Sequence, residues 1–174
     1  MAIPLSAVLE DPHRAARILE DEVPGSRVVR IVRADQGVIL DVEFDALPEL
    51  PDYPLERARV RILATGEVEA IPLGAKRAWK HRNASPLGPG FGTTAGTLCL
   101  FYPNDPDPLT WTWTDGLADY LVRLRRHLIY EEAWRRTGAW PIEDAPHGEP
   151  ARGTHPIVTS FMKQEVRRWR RSPS

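Results

Sequence analysis

The run RVVRIVRADQGVILDVEFDALPELPDYPLERARVRILA, residues 27–64, decides the fold. Within it, 27–34 (RVVRIVRA), 37–44 (GVILDVEF) and 57–64 (RARVRILA) are rich in valine, isoleucine and leucine and predict three strands. Asp35-Gln36 separates the first two, and the proline-bounded DALPELPDYPLE, 45–56, separates the second from the third. In the third segment Ala58, Val60, Ile62 and Ala64 alternate with Arg57, Arg59, Arg61 and Leu63. That alternation sets one face on a core and leaves the other largely in water. The three segments together predict an antiparallel meander.

Upstream, DPHRAARILEDE (11–22) reads as a short helix with Asp11 as N-cap, Pro12 at the first helical position and Ala16, Ile18 and Leu19 on its apolar side. Pro24-Gly25 stops it. Downstream, residues 68–114 read as irregular, since they hold Pro72, Pro86, Pro89, Pro103, Pro106 and Pro108 around the glycine-rich PLGPGFGTTAGT (86–97). A connection of that length inside a domain is functional or disordered, and its aromatic content argues for order. Asp115 is then expected to cap a helix, GLADYLVRLRRHLIYEEAWRRTG (116–138), with Leu117, Leu121, Leu124 and Leu128 as an apolar stripe and Gly138 as the stop. The segment 139–156 is turn-like. In IVTSFMKQEVRRWRRSPS (157–174), Val158, Phe161, Met162, Val166 and Trp169 share one helical face, while Lys163, Arg167, Arg168, Arg170 and Arg171 crowd the rest. No internal repeat is visible. The order of elements predicts an α+β fold with helices gathered on one side of an antiparallel sheet: one domain over 1–156, and a basic amphipathic helix over 157–174 packed on it.

The composition narrows the function. A chain of 174 residues with 42% apolar and 27% charged residues is ordinary globular protein of one domain, and its 17 prolines indicate stiffened connections. The net charge of -1 gives no overall attraction for nucleic acid or an anionic membrane. The basic tail is the one local patch, and such a run is commonly a solvated face, so a nucleic-acid partner is not expected. One cysteine forms no internal disulfide, and the opening MAIPLSAVLEDPHRAARILEDE carries acidic residues where a signal peptide needs a long apolar run. A reducing, cytoplasmic setting follows as the expectation, and no apolar stretch approaches the roughly 18 residues needed to span a bilayer. One thiol and five scattered histidines lack the paired spacing of a zinc site. The glycine-rich insert lacks the Gly-Lys-Ser/Thr ending of a phosphate loop, so no cofactor is expected.

The lone cysteine, Cys99, lies in TAGTLCLFYPNDPDPLTWTW (94–113). Taken by themselves, the residues allow two readings: a strand that packs the thiol away as a small apolar group, or a nucleophile at the mouth of a cleft. The surrounding pattern resembles that of ubiquitin-conjugating enzymes, in which a His-Pro-Asn motif precedes Gly-x-Leu/Ile-Cys-Leu. Here the corresponding residues are His81, Arg82 and Asn83, then Gly96, Thr97, Leu98, Cys99 and Leu100, followed by a proline-bearing loop, Trp111 or Trp113, and a helix. Arg82 stands in place of the proline, and the glycine-rich insert lengthens the interval before Cys99. YEEAWRRTGAWPIEDAPHG (130–148), with its Glu-x-Trp, Gly-x-Trp-Pro and His147, resembles the bacterial branch of the family. The resemblance runs from the first helix to about Gly138. It implies the ubiquitin-conjugating fold and a setting in anti-phage operons of the CBASS type, beside a cyclic-nucleotide synthase, or in other ubiquitin-like conjugation operons.

The chemistry so implied is acyl transfer. Cys99 takes an acyl group from a thioester on an activating enzyme or other donor and passes it to a lysine or thiol of a protein target. The acyl group is the C-terminus of a ubiquitin-like modifier or of the synthase. Cysteine suits this step because a fraction is thiolate at neutral pH and the thioester stays reactive toward amines, so no strong base need adjoin it. Asn83 is assigned either donation to the tetrahedral oxyanion or ordering of the active-site loop. His81 is expected to bond backbone in that loop, and His147 to fold back toward the thiol. Tyr102, Asn104, Asp105 and Asp107 either orient the incoming amine or serve as turn residues. Trp111 and Trp113 are expected in the core, His127 as a satisfied or exposed residue of the long helix, and the insert as a gate over the thiol. Two rival readings are a catalytically silent binding module of the same fold, and a cysteine hydrolase pairing Cys99 with His147 or His81.

Overall fold

The computed structural model describes residues 3–47, 55–74, 77–83, 96–101 and 110–142. The glycine-rich insert, the 102–109 segment with its Tyr102, Asn104, Asp105 and Asp107, His147, and the 157–174 segment read as a helix lie outside the described residues.

Four strands form one antiparallel sheet in the order β1-β2-β3-β4: β1 (Ser26–Ala34), β2 (Gly37–Phe44), β3 (Glu56–Leu63) and β4 (Val68–Leu73). The first three match the three apolar segments of the sequence. β3 ends at Leu63, so Ala64 turns outward, exposed, instead of completing the inner row. β4 corrects the expectation of irregular chain from residue 68. It is short and contains Pro72, which has no N–H to donate; its place at the sheet edge makes that tolerable. The register pairs Leu40 with Val60 and Val42 with Ala58, and then Val60 with Ala70, so the inner face is a continuous apolar layer. Val38, Leu40, Val42, Ala58, Val60, Ile62 and Ala70 are all buried.

The outer face departs from a simply hydrated one. Asp41, Glu43 and Glu69 are buried there beneath a row of arginines. Arg59 grips Asp41 with two bonds of 2.7 and 2.9 Å, Arg57 and Arg27 both reach Glu43, and Arg61 meets Glu69 at 3.0 Å. Opposite charges directly across an antiparallel pair stabilise it, and long arginine stems shield the carboxylates from water.

Two helices precede the sheet. α1 (Leu5–Glu10) was not anticipated; α2 (Pro12–Glu22) was. Asp11 ends the first and caps the second, its carboxylate accepting the Arg14 N–H at 3.0 Å. That bond, with burial opposing it, holds the Asp11 carboxyl below its ordinary range. Ala15, Ala16 and Leu19 are buried on α2, and Ile18 is half-buried. The long helix α3 (Leu117–Thr137) carries the leucine stripe as expected, with Leu117, Leu121, Leu124 and Leu128 fully buried in one core with the sheet's inner face. Its start differs from expectation: Gly116 is the N-cap, and Asp115 instead closes the preceding turn by accepting the Thr112 N–H at 2.8 Å. Gly138 ends it in the left-handed conformation, at φ 72°.

Trp111 and Trp113 pack as expected, in a turn that leads into α3. Their rings meet edge to face at 5.4 Å, and their indole N–H groups donate to the carbonyls of Gly116 and Gly66, at 2.9 and 2.5 Å. The result is an α+β architecture, a four-stranded antiparallel meander with helices sharing its core. No helix among the described residues is long and apolar enough to cross a membrane.

Candidate functional site

Two short segments far apart in sequence meet beside β4. Residues 81–83 pair antiparallel with 97–99: Arg82 stands opposite Leu98, the Cys99 N–H donates to the His81 carbonyl at 3.0 Å, and the Asn83 N–H donates to the Thr97 carbonyl at 2.9 Å. The Gly96 N–H returns to the Asn83 carbonyl at 2.7 Å. This small ladder closes the ends of the 84–95 stretch. It is continuous with the sheet, because the Leu98 N–H donates to the Ala70 carbonyl of β4 at 2.7 Å. The His-x-Asn and Gly-x-Leu-Cys motifs thus lie side by side, with Asn83 across from Thr97 and His81 across from Cys99.

Each residue of the ladder has a local cause. Leu98 is buried and joins the core, which pins the segment and leaves Cys99, its neighbour, half-buried. Thr97 is buried, and its hydroxyl accepts the Asn83 side-chain N–H at 2.9 Å. One amide hydrogen of Asn83 is therefore committed to the facing strand. Arg82 folds across the end of the ladder and donates to the Gly96 carbonyl at 2.9 Å. Gly96 suits this place because its φ is 87°, and a Cβ there would also come within 2.6 Å of the Arg82 guanidinium and push that side chain aside. Arg82 thereby clamps the ladder.

The segment leading to His81 is docked on α3. The Trp79 ring carries the guanidinium groups of Arg77 and Arg135, at 5.1 and 5.0 Å from its centroid. Arg135 donates to the Ala78 carbonyl at 3.1 Å, and Arg77 bonds the buried Glu56 of β3. Most telling is Glu131. Fully buried on α3, it accepts the N–H of Lys80 on one oxygen at 2.8 Å and that of His81 on the other at 2.7 Å. Burial pushes its carboxyl up, but the His127 ring and the two backbone donors outweigh burial and hold it below the ordinary carboxylate range.

The rings around Glu131 complete the support. His81 lies against Trp140 at 4.3 Å and meets His127 edge to face at 6.2 Å; His127 and Tyr130 each meet Trp140 at 5.7 Å. The His81 ring is thus placed by packing on Trp140 and His127, where the sequence predicts a bond to loop backbone. His127, expected to be satisfied or exposed, is buried, with Nε2 3.5 Å from Glu131. The Gly-x-Trp-Pro run of the sequence delivers Trp140 to this cluster.

Sequence reasoning missed Glu131 and Thr97. A signal for Glu131 existed: the stripe Leu117, Leu121, Leu124, Leu128 continues, three residues on, at 131, and an acid on an apolar stripe calls for donors. Thr97 offered none, since its partner is fixed only by the register of the ladder. No group of His, Cys, Asp and Glu able to hold a metal occurs among the described residues. No protein-family model matches the chain, and no curated protein matches it significantly.

Proposed function

We propose that this protein is an acyl transferase resembling ubiquitin-conjugating enzymes, with Cys99 as the acyl carrier. The observation that carries this reading is the pairing of 81–83 with 97–99, which sets the His-x-Asn motif against the cysteine motif at the edge of the meander. The order of helix, four-stranded meander, motif segments and long leucine-rich helix agrees with the fold that the resemblance implies.

In the first step the Cys99 thiolate attacks the carbonyl of a donor thioester, a tetrahedral oxyanion forms and collapses, and the donor thiolate leaves and is protonated. In the second, a neutral lysine amine or a thiol of the target attacks the Cys99 thioester; an amide or new thioester forms and the Cys99 thiol is regenerated. The donor is an activating enzyme or equivalent, and the acyl group is the C-terminus of a ubiquitin-like modifier or of a cyclic-nucleotide synthase. The setting is the cytoplasm of a bacterium carrying an anti-phage conjugation system.

The geometry favours the ordering role for Asn83, because its main-chain N–H and C=O and a side-chain N–H bond Thr97 and Gly96. His81, packed on Trp140 and His127, is a support for the site in this reading, and a Cys-His hydrolase pair built on it is disfavoured. The test is direct: the protein is mixed with candidate modifier and activating partner and run on a non-reducing gel. A dithiothreitol-sensitive adduct that Cys99→Ala cannot form supports the proposal, and an adduct retained by that variant overturns it.

A further inference from the structure

We propose that Glu131 is a positioning residue for Cys99, acting through the main chain of Lys80 and His81. The inference rests on the reading of Cys99 as acyl carrier, but its structural part stands on geometry alone. Glu131 lies on α3, inside its last two turns, and is wholly buried, yet both its oxygens are spent on consecutive N–H groups of another segment. A buried carboxylate is retained only where donors compensate its lost hydration, and two backbone N–H groups with an imidazole alongside supply that compensation.

The consequence for Cys99 follows from the register. The Cys99 N–H donates to the His81 carbonyl at 3.0 Å, so whatever fixes the His81 peptide fixes the main chain of the thiol-bearing residue. In an antiparallel ladder every second facing pair exchanges both bonds; His81 and Cys99 form such a pair, and regular pairing would direct the His81 N–H toward the Cys99 carbonyl. That N–H is given to Glu131 instead. The carboxylate therefore both anchors residue 81 and terminates regular pairing at Cys99, consistent with an isolated bridge at Arg82 and Leu98 in place of a fifth strand. Trp140 seals the arrangement by covering the His81 ring.

The test is Glu131→Gln in the full chain, which keeps the shape and one acceptor but turns an NH2 group toward the second backbone N–H. Amide hydrogen exchange should show faster exchange at Lys80, His81 and Cys99, with the amides of β1 to β3 unchanged. In the thioester assay kcat should fall by about tenfold to a hundredfold, the cost of modest misplacement of a reacting group, with the KM for the donor unchanged. Exchange accelerated evenly over the whole chain, or a Cys99 amide as protected as before, would overturn the inference. Should the variant fail to fold, the wild-type protein decides: the amides of His81 and Cys99 must open together with equal protection, and separate opening refutes the anchoring. Absence of any adduct from the wild-type protein overturns the acyl-transfer reading, and amide exchange still decides whether Glu131 holds the Cys99 segment.

Discussion

The half-buried position of Cys99 follows from the burial of its neighbour Leu98. Leu98 is drawn into the core while Cys99 stays on the ladder beside β4, bonded through its N–H to the His81 carbonyl. In its proposed role as acyl carrier the side chain supplies the reacting atom and little volume, so Cys99→Ala is expected to abolish adduct formation and to change the unfolding free energy by no more than about 1 kcal/mol, the scale of a minor truncation. An alanine variant that still turns over removes Cys99 from the mechanism. For Asn83 the bond to Thr97 makes a specific prediction. Asn83→Ala should slow thioester formation and transfer to lysine by similar factors, because it loosens the ladder on which both steps depend. Slowing confined to the lysine step, measured by single-turnover kinetics, would return Asn83 to the oxyanion role. Thr97→Val, which removes the same bond from the other side, should behave like Asn83→Ala.

At the level of elements, the ends of strands and helices carry sharper constraints than their middles. Gly138 and Gly37 both have positive φ, 72° and 149°, but their surroundings differ. Nothing lies within 4 Å of a Cβ built on Gly138, so Gly138→Ala pays only backbone strain, roughly 1–2 kcal/mol. A Cβ on Gly37 would fall 2.0 Å from the Ile62 carbonyl oxygen of β3, a collision with main chain that nothing can relieve without parting two strands. Gly37→Ala is therefore expected to cost about 4 kcal/mol or more, in the exceptional range for one substitution. Urea denaturation of the two variants checks the ranking, and equal losses would contradict it. The elements also show why sequence reading went as far as it did. α2 and α3 announce themselves by Pro12, the leucine stripe and Gly138, all local signals. β4 does not: VEAIPL is six residues with a proline, and its strand character comes from the hydrogen bonds that β3 offers it. Asp115 looked like a cap because its type and position suited one, yet Gly116 reached the cap geometry first and left the carboxylate to Thr112.

Across the molecule, acid resistance is set by a few carboxylates with opposite tendencies. Glu43, hydrogen-bonded first by Arg57 and then by Arg27, is held below its ordinary 4.5. Burial raises Glu131 and Glu132, but the nearby His127 ring and the Lys80 and His81 N–H groups in one case, and hydrogen bonds from Arg136 and Arg135 in the other, leave both below 4.5. For these three the unfolded chain binds protons more readily, so their contribution is complete above 4.5 and is lost as pH falls through the lower folded values. Glu56 runs the other way: burial raises it, and Arg77 and Arg135 do not fully compensate. Its folded form takes up a proton first, so stability gains as pH falls from that raised value toward 4.5. The melting temperature is expected to hold or rise slightly on acidification to about 4.5 and to fall steeply below it. In Glu56→Gln the rise should vanish while the fall remains, and a wild-type curve that declines steadily from neutral pH would contradict this assignment.

The amino-acid sequence determined the apolar period of β1 to β3, the stripe of α3, the cap of α2 and the two motifs that frame Cys99. These depend on spacing along a few residues and on side-chain type, both written locally in the chain. Only the tertiary structure decided that 81–83 lies against 97–99, that Thr97 receives Asn83, that Arg82 closes over Gly96, and that Glu131 holds the peptide opposite Cys99. Those partners stand 14 to 50 positions apart. Backbone N–H and C=O groups are the same at every residue, so no pattern in the sequence can mark which of them will meet; the choice is made when the core draws Leu98 and the α3 leucines together and every buried polar group must then find a partner.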